Sequence, residues 1–167
     1  MPRLSLVALL LLGSNGCAIA PKNYVEPDSG STARLIIQGP ADRESSVAFY
    51  ASAAKCAGRS FVNDIGPAGT KTVKVRADEL LSLTFNQPGA RDYRLNRTGC
   101  NITISFVPEG GQTYEAQMTT RASDQRCTVV ILKRDRNGEA GNSPVLTFQR
   151  KEAVMQMTEN SDWCQPM

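Results

Sequence analysis

Five thiols and no imidazole define the chemistry open to this 167-residue chain. Without histidine, Ser-His-Asp and Cys-His nucleophilic arrangements are excluded, as are HExxH sites and most three-ligand zinc hydrolase centres. What remains is chemistry run by carboxylates or by a Ser-Lys pair. Asp64, Asp78 and Glu79 fall in turn-forming stretches where carboxylates are ordinary, and Ser60 near Lys55 is a common spacing. The thiols Cys17, Cys56, Cys100, Cys127 and Cys164 contain no CxxC, so a zinc site would have to gather four scattered thiolates. The pattern therefore predicts no metal, no cofactor and no catalytic constellation.

Cys17 stands apart from the other four. It follows Arg3, an apolar run from Leu4 to Leu12 and the small-residue stretch Gly13-Ser14-Asn15-Gly16. That order is the n-region, h-region and cleavage site of an export leader, which assigns residues 1–16 to a signal peptide. The run is well short of the ~20 apolar residues needed to span a bilayer. The segment resembles the lipobox of bacterial lipoproteins: Gly16 and Cys17 match it, Ser14 stands where Leu is usual, and Asn15 replaces the common Ala or Ser. The resemblance implies that Cys17 carries the lipid and holds the protein on a membrane. Residue 18 is Ala and not Asp, which in such lipoproteins favours the outer membrane of a Gram-negative bacterium, facing the periplasm.

The remaining four cysteines are an even set in an exported chain, which predicts two disulfides. Cys56–Cys100 and Cys127–Cys164 are the expected pairs, since each closes a neighbouring segment. Strand parity turns Cys100 and Cys127 inward, so a Cys100–Cys127 bridge also stays open.

Most of the chain alternates with period two. Val73/Val75, Leu81/Leu83/Phe85, Ile102/Ile104/Phe106, Tyr114/Ala116/Met118 and Leu146/Phe148 are each interleaved with polar residues. Half-buried strands need this pattern. Arg34 to Gln38 and Cys127 to Lys133 are apolar on both sides and read as central strands, and Val47 to Ala51 as another. Pro108-Glu109-Gly110-Gly111 predicts a hairpin, and Ala77-Asp78-Glu79 a tight reversal. The one helix candidate is Arg150 to Thr158, which reads equally as a final strand. The predicted fold is all-β, an antiparallel sandwich of immunoglobulin-like or transthyretin-like type, over residues 33–167. Residues 17–32, rich in Pro, Gly, Ser and charge, read as a mobile tether.

A net charge of +3 is too weak an excess to argue for nucleic acid, and it permits contact with anionic lipid or cell-wall polymer. The core sets are apolar, so function is expected on loops. Among these, 87–99 alone combines three arginines with an aromatic, which makes Arg91, Tyr93, Arg94 and Arg97 the candidate contact surface. The leader, TARLIIQ, VRADELLSLTF and GCNITISFVPEGGQTYEAQ followed by Cys127 together resemble a set of small bacterial lipoproteins with a β-sandwich ectodomain. That set offers no catalytic residues to carry over. Leader, disulfides and apolar core together read as a non-enzymatic binding or structural module of the envelope, with an envelope protein or the cell wall as partner. An inhibitor of a cell-wall hydrolase is the alternative, and an envelope enzyme using carboxylates ranks below both.

Overall fold

The computed structural model describes residues 22–87, 99–120, 127–134, 143–144, 149–153 and 164–166, and the period-two segments within them form strands. In chain order the strands are β1 (Thr32–Gln38), β2 (Ser45–Ser52), β3 (Ala57–Ile65), β4 (Thr70–Arg76), β5 (Leu81–Gln87), β6 (Cys100–Phe106), β7 (Thr113–Thr120), β8 (Cys127–Arg134), β9 (Ser143–Pro144), β10 (Gln149–Ala153) and β11 (Cys164–Pro166). There is no helix among the described residues. The helix candidate at Arg150 falls on β10 as far as Ala153, and its remainder, like Leu146 and Phe148, lies outside the described residues.

Two sheets face each other. Sheet I has the order β4-β1-β7-β8-β9, and sheet II the order β11-β10-β6-β5-β2-β3. Every neighbouring pair is antiparallel except β1 and β7, which run parallel from Arg34↔Thr113 to Gln38↔Gln117. Leu35, Ile37, Val75, Ala116 and Ile131 from sheet I meet Val47, Leu83, Phe85, Ile104 and Phe106 from sheet II in a continuous core. Each large side chain fully buried in this way contributes about 1.5–3 kcal/mol. Phe106 and Tyr114 meet edge to face, with ring centroids 5.3 Å apart. The sandwich is thus all-β, as the alternation predicts.

Two connections differ from the sequence expectation. Pro108–Gly111 is no hairpin, because β6 and β7 belong to opposite sheets. The 77–80 turn likewise carries the chain from β4 in sheet I to β5 in sheet II. Both crossovers are at one end of the sandwich and are locked together by Asp78, which sits at φ 63°. Asp tolerates this left-handed conformation better than most residues. The Asp78 carboxylate accepts from Ser31 Oγ at 2.6 Å and from the Gly110 amide at 3.3 Å. The Asp78 amide donates to the Pro108 carbonyl at 2.7 Å. Residue 110 must be glycine for this approach, since a Cβ there would collide with Ser31 Oγ.

Sheet II also departs from simple alternation. Ser82, Thr84, Thr103 and Ser105 occupy the polar positions of β5 and β6, yet all four are buried. They satisfy one another: Ser82 Oγ lies 2.5 Å from Ser105 Oγ, Thr84 Oγ1 lies 2.7 Å from Thr103 Oγ1, and Tyr50 Oη lies 2.6 Å from Thr84 Oγ1. Ser82 Oγ also donates to the Ala53 carbonyl at 2.6 Å. The outer side of sheet II is therefore covered, with Ala48, Tyr50 and Cys56 forming a second small cluster packed by Phe61. These polar positions, which the alternation places in water, are buried instead. Hydroxyls paired across strands replace water at little net cost, so a run of Ser and Thr is compatible with either side of a sheet.

Candidate functional site

The cysteines pair differently from the expected connectivity. Cys100 opens β6, Cys127 opens β8, and the two are joined across the sheets with Cα atoms 6.3 Å apart. This bridge excludes Cys56–Cys100 and Cys127–Cys164. Inward parity decides the outcome over closeness in sequence: both thiols reach the core from facing strands at the same end of the sandwich. Cys56 is itself disulfide-bonded. Of the chain's five cysteines only Cys17 and Cys164 are left to partner it.

Cys17 lies outside the described residues, as do Arg91, Tyr93, Arg94, Arg97 and Trp163. The described residues therefore include none of the predicted contact set. The structure brings together a different set, around the segment that the sequence reads as a tether.

From Lys22 onward that segment is docked. Sheet I ends on β4 and sheet II on β3, and residues 22–26 are bonded to both edge strands. On the β3 side the Tyr24 amide donates to the Phe61 carbonyl at 2.9 Å, and the Phe61 amide to the Lys22 carbonyl at 2.8 Å. On the β4 side Tyr24 Oη donates to the Lys74 carbonyl at 2.8 Å. The Lys74 amide donates to Glu26 Oε1 at 2.9 Å. Between these contacts the Tyr24 ring stacks on Phe49, centroids 4.3 Å apart. One short segment thus supplies partners to the exposed backbone of two edge strands, groups that would otherwise invite pairing with another chain. The Tyr24 hydroxyl is pushed up to about 12, first by burial, then by the nearby Glu26 carboxylate, with Arg76 acting the opposite way. A protonated phenol is what the bond to Lys74 requires, because a phenolate has no proton to donate.

Beside this clasp opens a groove of about 800 Å³. Tyr24, Phe49, Tyr50 and Leu81 contribute its apolar lining, and Ser52, Ser60 and Arg76 its polar one. Val25 and Leu80 stand at its lips, 76% and 40% exposed. Arg76 and Glu79 form a loose pair across one wall, with Nε and Oε1 3.7 Å apart.

The one buried carboxylate of the described core is Glu115, 1% exposed on the outer side of sheet I. It is fully engaged: Arg134 donates to it through Nε at 2.5 Å and through Nη2, and Gln117 through Nε2 at 2.6 Å. Both oxygens of this carboxylate are thus taken up within the sheet. Among the described residues no group of three or more His, Cys, Asp or Glu is placed to hold a metal ion.

Sequence reasoning missed Tyr24 and Glu26 because Pro, Gly and Ser around them read as linker. The available signal was Tyr24-Val25, an aromatic next to a β-branched residue inside an otherwise polar stretch. Compared with known proteins, the chain matches no protein-family model and shows no significant similarity to a curated protein.

Proposed function

We propose that this chain is a lipid-anchored, non-enzymatic module of the bacterial envelope that holds an envelope protein at the groove beside its clasp. The observation that carries the reading is the docking of residues 22–26 across both sheet edges, five residues after the cysteine of the lipobox-like leader. A docked segment at that place converts an anchor into a fixed mount: five residues reach at most ~17 Å, so the groove would be displayed close to the bilayer. The apolar lips Val25 and Leu80 and the half-buried Tyr24 and Leu81 suit a partner that buries an apolar segment. The structural engagement of Glu115 and of the Ser and Thr hydroxyls supports binding over catalysis.

The test has two arms. Metabolic palmitate labelling and detergent partitioning of the wild type, with Cys17→Ser as control, read the anchor. Crosslinking in envelopes, comparing wild type with Val25→Glu/Leu80→Glu, reads the groove. The expected result is loss of a discrete crosslinked protein at unchanged melting temperature. An unmodified Cys17 in a soluble wild-type protein would overturn the anchor, and a crosslink unaffected by the two glutamates would overturn the groove. Arg91→Ala/Arg94→Ala/Arg97→Ala is the parallel arm, and loss of the crosslink there alone would move the contact surface to the 87–99 loop.

A further inference from the structure

The outer side of sheet I carries a row of three cations, one of them paired. Register alignment places Lys74 opposite Arg34, Arg34 opposite Thr113, and Thr113 opposite Arg134, across four adjacent strands. Arg134 is engaged with Glu115. Arg34 and Lys74 are exposed, and neither side chain has an ion-pair partner among the described residues. Like charges directly opposite on a sheet destabilise it. Here both overlook one shallow depression of about 540 Å³, ringed by Thr32, Thr72, Thr113 and Gln112. Hydroxyl and amide donors around two unneutralised cations match an anion with several acceptor oxygens. Glu26 is the acid at the lip, and its Oε1 already accepts the Lys74 amide.

The depression also borders the clasp, because Glu26 belongs to both. If Cys17 carries the lipid, as proposed above, this side of the sandwich is within reach of the surface that holds the anchor. We infer that the Arg34–Lys74 depression is the seat of the phosphate of an anionic phospholipid headgroup, so that the domain lies against its membrane in a defined orientation. The lipid would hold the chain, and the two cations would set which face turns to the bilayer.

The experiment uses the full chain bearing Cys17→Ser, so that acylation plays no part in the readout. Co-sedimentation is measured with vesicles of phosphatidylcholine alone and of phosphatidylcholine with one quarter phosphatidylglycerol. Binding should appear only with the anionic vesicles. Each cation near such a surface is worth about 1 kcal/mol, so Arg34→Gln/Lys74→Gln should weaken binding about thirty-fold. Arg43→Gln/Lys55→Gln removes the same charge away from the depression and should weaken it less than about three-fold. Equal loss in both double variants, or no preference for anionic vesicles, would overturn the proposal. Inorganic phosphate that displaces the protein at low millimolar concentration would instead assign the site to a free anion and also overturn it. Palmitate labelling of the wild type reads the anchor separately, so a failure of either idea is distinguishable from a failure of the other.

Discussion

Replacing Tyr24 with Phe isolates one atom of the clasp and gives the sharpest test of how the N-terminal segment is held. The ring remains on Phe49, and only the bond from Oη to the Lys74 carbonyl is lost. A net hydrogen bond is worth about 1 kcal/mol, and this one is half exposed, so the variant should lose roughly 0.5–1 kcal/mol at neutral pH. Tyr24→Ala removes the stack as well. Truncating a fully buried aromatic costs about 3–5 kcal/mol, and this half-buried ring should cost about 2–3 kcal/mol.

The pH dependence gives the second reading. The Tyr24 hydroxyl titrates at about 12 in the folded chain against 10.0 unfolded. Between those values the unfolded chain gives up its proton first, so the folded state binds more protons and stability falls as pH rises. The contribution is fully present below pH 10 and gone above 12. Discounted for partial exposure, the shift amounts to about 1 kcal/mol. Urea unfolding at pH 8 and pH 11, with the m-value held as a check on two-state behaviour, compares wild type and Tyr24→Phe. At pH 11, midway between the two values, the wild type should have lost about 0.5 kcal/mol more than the variant. Identical midpoints at pH 8 and identical losses at pH 11 would refute the assignment of Tyr24 as the pin of the clasp.

Other outcomes follow from the same geometry. Arg134→Leu leaves Glu115 buried without its guanidinium and should cost about 2–4 kcal/mol in urea unfolding, whereas Glu115→Met/Arg134→Leu should return to within about 1 kcal/mol of wild type. Peptide mapping without reduction should yield a Cys100–Cys127 peptide and, if Cys17 is lipidated as proposed, a Cys56–Cys164 peptide. A Cys56–Cys17 peptide would contradict the anchor. Cys100→Ala/Cys127→Ala opens a loop of 27 residues in the unfolded chain and should lower stability by about 3.5 kcal/mol. Gly110→Ala should destabilise more than Gly111→Ala does through its φ of 71°, because only the former drives a Cβ into Ser31; equal melting temperatures would show that the Asp78 node yields easily.

The strands were legible because their alternation is strict, and the core list follows from it. Parity placed Cys100 and Cys127 on the inner side, where they meet. What alternation cannot say is which sheet a strand joins. Pro108–Gly111 has hairpin chemistry, yet Asp78, Ser31 and Gly110 bind each other and turn the same four residues into a crossover. Those partners are 32 or more positions apart in sequence, beyond any local pattern. The hydroxyl ladder was illegible for a related reason. Ser82 and Thr84 are polar in water and polar when paired with Ser105 and Thr103, so residue type alone does not reveal burial. The clasp escaped because linker-like composition describes what the segment is made of, while Tyr24 and Glu26 decide where residues 22–26 go.

The proposed tether and the clasp draw on the same residues, so release of the clasp would lengthen the tether. With Tyr24 docked, the first fixed residue, Lys22, is five positions beyond Cys17; with it released, the first is Thr32 of β1, fifteen positions beyond. On the proposed lipid anchor, the reach from Cys17 would then grow from at most ~17 Å to about 50 Å. A partner that inserts an apolar segment between Val25 and Leu80 would press on the same wall that Tyr24 builds. Amide hydrogen exchange can follow this directly, since the Phe61 and Lys74 amides are bonded to the clasp and not to a neighbouring strand. In wild type these two amides should exchange more slowly than in Tyr24→Ala, where they should lose protection while Leu83 and Ile104 keep theirs. If all four lost protection together, the segment would be an integral part of the cooperative fold, and the anchor would have a single fixed length.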